Sequence, residues 1–208
     1  MPALFFKRLA GALLVPLILA GCAAEPTAAP VDETFYANIA KGGSLDPQKA
    51  AEMISDYRVG KGLPAVTLDP GLMKVAESQA RAMASADKLS HNIGGRGLTA
   101  RLKAQGFNGL KAAENVGAGY HTLAETFSGW RDSPSHNKNM LLSGANRIGI
   151  AAVRAPKSKY SVYWALVIAQ SDPRADAAAG GTTVAAAPAG PAMGETQVFF
   201  GGMQLPGQ

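Results

Sequence analysis

From Asp69 onward the chain places Leu72, Val75, Ala76, Gln79, Ala82, Met83 and Ala86 at spacings of three and four. Only an α-helix brings such a series to one face. Asp69-Pro70 starts it well, because aspartate caps free amides and proline suits the first turn. The same dipeptide at Asp46-Pro47 predicts a second helix with Ala50, Met53, Ile54 and Tyr57 inward, stopped at Gly60 and Gly62. Residues 98–105 read as a short helix ended by Gly106, and residues 123–130 as another, capped by Thr122 with Leu123, Phe127 and Trp130 inward. Residues 147–153 alternate Ile148, Ile150 and Ala152 with other neighbours, as a strand does. Residues 161–169 are rich in β-branched and aromatic side chains and are expected to pair with them through a loop at 155–159. Several helices and few strands give an α+β class, with helices packed on an antiparallel sheet.

The periodic pattern fills one stretch, residues 45–172, the size of one domain. Beyond it, residues 173–208 are rich in Ala, Gly and Pro. They are expected to stay disordered, because such a segment buries too little apolar surface to offset the cost of ordering its backbone. Val198-Phe199-Phe200 is its one apolar spot. Before the domain, Lys7 and Arg8 precede an apolar run at residues 9–20, too short for the ~20 residues of a spanning helix. The run ends in Leu19-Ala20-Gly21-Cys22, where small residues before a cysteine fit a lipoprotein processing site. Residues 1–21 then read as a signal peptide, Cys22 as the lipidated (palmitate-bearing) first residue, and residues 22–44 as a flexible tether. An ordinary secretory leader with a chance cysteine is the plainer alternative. One cysteine leaves no disulfide to build.

Loss of Lys7 and Arg8 lowers the formal charge from +5 to +3. With no Lys/Arg run, the balance gives no reason to expect nucleic acid as a partner. The expected partner is a membrane, reached through the N-terminal lipid, and the chain is expected to be a monomer. The expected location is the cell envelope. Ala23 and Ala24 carry no acidic retention signal, which points to the outer membrane or periplasm if the cell is Gram-negative.

Polar residues concentrate in three motifs: Leu89-Ser90-His91, Glu114-Asn115-Val116-Gly117-Ala118-Gly119, and Trp130-Arg131-Asp132-Ser133-Pro134-Ser135-His136-Asn137. Imidazoles titrate near neutrality and bind metals, and a carboxylate can orient them. Each residue also has a plainer reading. His91 follows a helix and can cap its C-terminus. The Ser-Pro-Ser-His turn can cap a helix near residues 137–142. Glu114 can satisfy amides of its own glycine loop. His121 reads as a surface loop residue, and Trp130 and Trp164 as core anchors. There is no G-x-S-x-G elbow, no H-E-x-x-H and no complete dinucleotide fingerprint.

In this order, and continued by Arg147-Ile148-Gly149-Ile150 and Tyr163-Trp164-Ala165-Leu166, the motifs resemble the CAP superfamily of cysteine-rich secretory, antigen 5 and pathogenesis-related 1 proteins, in its disulfide-free bacterial branch. The likeness runs over residues 45–170. It implies a three-layer α-β-α sandwich with a small antiparallel sheet and a cleft on one side. It also implies that His91, Glu114 and His136 line the cleft. The second acid of the full family set falls at Ser133, a departure that leaves a neutral hydroxyl. The resemblance implies binding of a lipid, envelope polymer or protein at this cleft, with a metal-assisted, peptidase-like hydrolase on the same residues as the alternative. The resemblance implies no definite cofactor. A divalent metal such as zinc, held weakly by His91 and His136, is the one candidate.

Overall fold

The computed structural model describes residues 33–174 and 197–200. Cys22, the leader and most of the tether and tail lie outside the described residues, and their reading rests on sequence. Two 3-10 turns, Glu33–Tyr36 and Ile39–Lys41, lead into α1 (Pro47–Val59) and α2 (Pro70–Ala86). Both helices start as their Asp-Pro pairs predict. Asp46 Oδ1 accepts from the Gln48 and Lys49 amides, and Asp69 Oδ1 accepts from the Leu72 amide at 2.8 Å. On α2 the buried stripe is Leu72, Val75, Ala76, Gln79, Ala80 and Met83, while Ala86 is exposed. Asp87 ends the helix in the left-handed conformation. Its carboxylate accepts from the Lys159 amide and the Tyr163 hydroxyl, tying the helix end to the hairpin. Burial, and then that aspartate, push the Tyr163 phenol up to about 12.

Next come α3 (Leu98–Ala104), β2 (Lys111–Ala118), α4 (Leu123–Asp132) and α5 (Pro134–Met140), with β1 the short pair Thr67–Leu68. Thr122 and Glu125 form a reciprocal capping box at the start of α4. The hairpin strands β3 (Arg147–Ala155) and β4 (Ser161–Gln170) follow, and β5 (Gln197–Phe200) comes last. The sheet order is β1-β3-β4-β2-β5.

The sheet is mixed, where a purely antiparallel one was expected. Its centre, β3-β4-β2, is antiparallel, but both outer strands, β1 and β5, run parallel to their neighbours. The β5 pairing also departs from the featureless tail expected for residues 173–208. Residues 197–200, three of them strong strand formers, lie in register with Lys111–Glu114 and meet backbone groups that an edge strand would leave open.

Strand β4 sits in mid-sheet and is buried on both faces. Val162, Trp164, Leu166 and Ile168 join α1, Trp130 and Met140 in one core. Tyr163, Ala165, Val167 and Ala169 join α2 and α3 in the other. The helices therefore form two layers around the sheet, and the fold is an α+β, α-β-α sandwich. Among the described residues no helix is long and apolar enough to cross a membrane.

Gly149 sets how closely α2 approaches the sheet, since a Cβ there would collide with the backbone of Leu72 and Met73. Gly149→Ala should cost about 1–3 kcal/mol through overpacking. That corresponds to a fall of several degrees in Tm for a domain of this size. An unchanged melting curve would show that the helix does not rest on this strand.

Candidate functional site

Strand β2 carries the centre of the site. Its side chains alternate between layers, so Ala112, Glu114 and Val116 face α2 and α3, while Ala113 and Asn115 face α5. Glu114 has no solvent exposure, and a bare carboxylate there would be very costly. Both of its oxygens are engaged. Oε2 accepts from Arg101 Nη1 at 2.7 Å, and Oε1 lies 2.8 Å from His91 Nδ1. Held by Arg101, the carboxylate is placed to accept the His91 Nδ1–H and so to orient the ring.

Arg101 sits on α3 and is itself buried. It also donates from Nη2 to the His91 carbonyl at 3.3 Å and from Nε to the Arg96 carbonyl at 3.2 Å. One guanidinium thus neutralises Glu114 and fixes the loop that presents His91. His91 stands beyond α2, whose C-cap is Asp87, so the capping reading of His91 gives way. The backbone of Ser90 is held by the Gln79 side chain from inside α2.

His136 arrives from the opposite layer. The chain leaves α4 at Asp132, turns at Ser133 and enters α5 at Pro134. Ser133 Oγ lies 2.8 Å from His136 Nδ1 and 3.4 Å from Ser135 Oγ. Asn115 Nδ2 donates to the His136 carbonyl at 3.0 Å. Asn139 Nδ2 donates to the Glu114 carbonyl and to Asn115 Oδ1. These bonds stitch α5 onto β2 at Glu114 and Asn115. Burial lowers the His136 pKa below its ordinary 6.5, and nearby His91 lowers it further.

The structure thus joins His91 directly to Glu114 and His136 directly to Ser133, and it brings the two pairs to one strand. Asp132 lies apart, exposed and paired with Arg131. His121 is in the loop before α4, where its carbonyl accepts from Ile39 N. Trp130 and Trp164 are buried anchors that donate to the Val116 and Tyr120 carbonyls. Glu114 lies on a strand and serves His91 and Arg101, in place of the glycine-loop amides proposed for it. Sequence reasoning missed Arg101 and Asn139. At helix positions an arginine or asparagine looks like a surface residue, and only Glu114 coming to lie opposite them shows otherwise.

The donors do not fit a tight zinc centre. Glu114 spends both oxygens on protein partners, and Ser133 adds a neutral hydroxyl. Among the described residues no group of three or more His, Cys, Asp or Glu side chains is arranged to hold a metal ion.

Residues 51–168 match the model of the CAP family, described as the cysteine-rich secretory protein family. No curated protein matches the chain. Among solved structures it is similar to an extracellular protein containing an SCP domain from Bacillus anthracis, with TM-score 0.53 and 22% identity over 60% of this chain and 40% of that one. It is similar to an outer surface protein from Borrelia burgdorferi, with TM-score 0.53 and 20% identity over 63% of this chain and 99% of that one. A cysteine-rich secretory protein from Staphylococcus aureus matches with TM-score 0.50 and 18% identity, over 68% of this chain and 40% of that one. At these identities the likeness is one of fold. The chain spans 40% of the length of the Bacillus and Staphylococcus chains.

The depressed His136 pKa has a consequence for stability. Above 6.5 the ring is neutral in folded and unfolded chains alike. As pH falls below 6.5 the unfolded chain takes up a proton that the folded site resists, so stability is lost down to the folded pKa. Denaturant midpoints measured from pH 7.5 to 5 should fall more steeply for the parent than for His136→Gln. Parallel profiles would show that His136 is not desolvated.

Proposed function

This chain belongs to the CAP family, the cysteine-rich secretory proteins, and on that basis we propose that it is a lipid-anchored envelope protein whose cleft binds a ligand and does not cleave it. The cleft is formed by His91, Glu114, Ser133 and His136. The observation that carries this reading is the saturation of Glu114 by Arg101 and His91. A carboxylate clamped on both oxygens is poorly placed to take a proton from water. It is well placed to hold an imidazole in one tautomer. His136, kept neutral by burial, and the Ser133 hydroxyl then supply hydrogen-bonding groups. The ligand class is a lipid, an envelope polymer or a protein. The extracellular and outer-surface origin of two similar structures agrees with a place outside the cytoplasm.

The competing reading is a metal-assisted hydrolase on the same residues. Purified protein should show no chelator-sensitive cleavage of peptide or ester substrates. Native mass spectrometry of protein taken from its own envelope should instead find a co-purifying ligand, lost in His91→Ala/His136→Ala. Metal-dependent turnover by the parent, abolished by His91→Ala, His136→Ala and Glu114→Gln in folded protein, would overturn the binding reading.

Anchoring rests on Cys22. Buried acyl chains contribute ~0.8 kcal/mol per methylene, which a polar tether cannot replace. Cys22→Ser should release the protein from membranes or leave it unprocessed. A variant that fractionates and migrates like the parent would remove the lipid anchor from this proposal.

A further inference from the structure

A recess lies between α2 and α3, and Arg101, the partner of Glu114, is among its lining residues. Its volume is about 240 Å³, below the ~300–1,000 Å³ of pockets that take drug-sized molecules, so it suits a small head group. Lys74 and Ser78 line it from α2, one turn apart. Arg96, Arg101 and Gln105 line it from α3 and the loop before it, and Ala100 gives part of an apolar floor. Three of the lining residues are cations and none is an acid.

The three cations are not equivalent. Arg101 is buried, and its charge is met by Glu114. Three of its five N–H groups are spent on Glu114, His91 and Arg96, which leaves two. Lys74 and Arg96 are exposed and enter no ion pair among the described residues. Their neighbour Glu77 is engaged with Arg81. Two uncompensated cations beside a hydroxyl, an amide and a buried guanidinium form a donor-rich pocket with no carboxylate in its lining.

We propose that this recess binds a phosphoryl group, gripped by Lys74 and Arg96 and hydrogen-bonded by Ser78 and Gln105. Tetrahedral oxyanions suit this set because several oxygens can each accept from a separate donor. A guanidinium also meets two of them at once. Val75 and the alanines leave room for a short apolar attachment, so free phosphate and the head group of an anionic lipid share the required chemistry. This site is separate from the histidine cleft and does not depend on its ligand.

The test is a titration of the full-length chain in a nonionic maltoside, followed through the backbone amide signals of Ser78 and Gln105. One arm uses inorganic phosphate and the other a soluble short-chain phosphatidylglycerol. Saturable shifts are expected in at least one arm. Saturation by phosphate alone identifies a free phosphoryl ligand, and saturation only by the lipid identifies a head group. Lys74→Glu/Arg96→Glu should weaken binding at least tenfold. Lys103→Glu, which reverses an exposed charge on α3 outside the recess, should change it less than twofold. His91→Ala/His136→Ala should leave it in place, which separates this site from the cleft. No saturable shift in either arm would overturn the proposal, as would equal loss in Lys103→Glu or loss in the histidine variant.

Discussion

A carboxylate with no access to water, on a strand in the sheet, is the constraint around which this molecule is arranged. Glu114 is acceptable only because a charge and a hydrogen-bond donor meet it on both oxygens. Arg101 supplies the charge, so α3 must pack where its guanidinium reaches β2. The same guanidinium holds the carbonyls of His91 and Arg96, so the loop between α2 and α3 is fixed by the group that neutralises the acid. Removing one partner of such a buried pair typically costs about 3–5 kcal/mol, a large part of a domain's net stability. The imidazole that the cleft presents is therefore held by the stability of the fold, and not by a loop free to move.

The opposite layer is tied down by a second buried cation. Arg58, on α1, has no exposure and no acid beside it. It donates to the carbonyls of Pro64, Met140, Leu142 and Ala145. Burial accordingly lowers its pKa. Four carbonyls are met by one guanidinium, and three of them belong to the end of α5 and the turn leaving it. With Asn115 and Asn139 holding α5 to β2, and Tyr57 donating to Asn137 at 2.9 Å, His136 is fixed from both sides of its helix. Each histidine thus depends on a buried arginine in its own helical layer.

What the sequence made legible follows from how each element solves its own burial. Helices α1, α2 and α4 carry Asp or Thr caps and a one-sided apolar stripe, so local signals alone locate them. β3 and β4 carry β-branched and aromatic residues joined by a short loop. β2 was hidden because its Glu114-Asn115 pair and Gly117 read as a polar loop. A strand buried on both faces has no alternation to reveal it. Its acid is recognisable as a strand residue only when Arg101 and His91 come to lie opposite it. α5 has seven residues, too few for a periodic stripe, and only its Ser-Pro start was visible. The four candidate residues were singled out by the chemistry and order of their motifs. Their pairing, His91 with Glu114 and Ser133 with His136, depends on strand register, which no single motif contains.

The serine at position 133 determines the character of the cleft. His136 is half-buried, and its near neighbours are the hydroxyls of Ser133 and Ser135 and the second imidazole, His91. A carboxylate in place of that hydroxyl would oppose desolvation and favour the imidazolium. With serine, desolvation wins and the ring is neutral at pH 7. His91 faces a carboxylate already neutralised by Arg101, so the acid's charge is not left to bear on His136. The paired charges of the cleft thus sit together on the α3 side, and the side that receives α5 is polar but uncharged. An uncharged surface of imidazole and hydroxyl groups matches a ligand through hydrogen bonds that neither desolvate an ion nor require a proton to move. That division of labour across a single strand is the physical ground on which the binding proposal stands against the hydrolytic one.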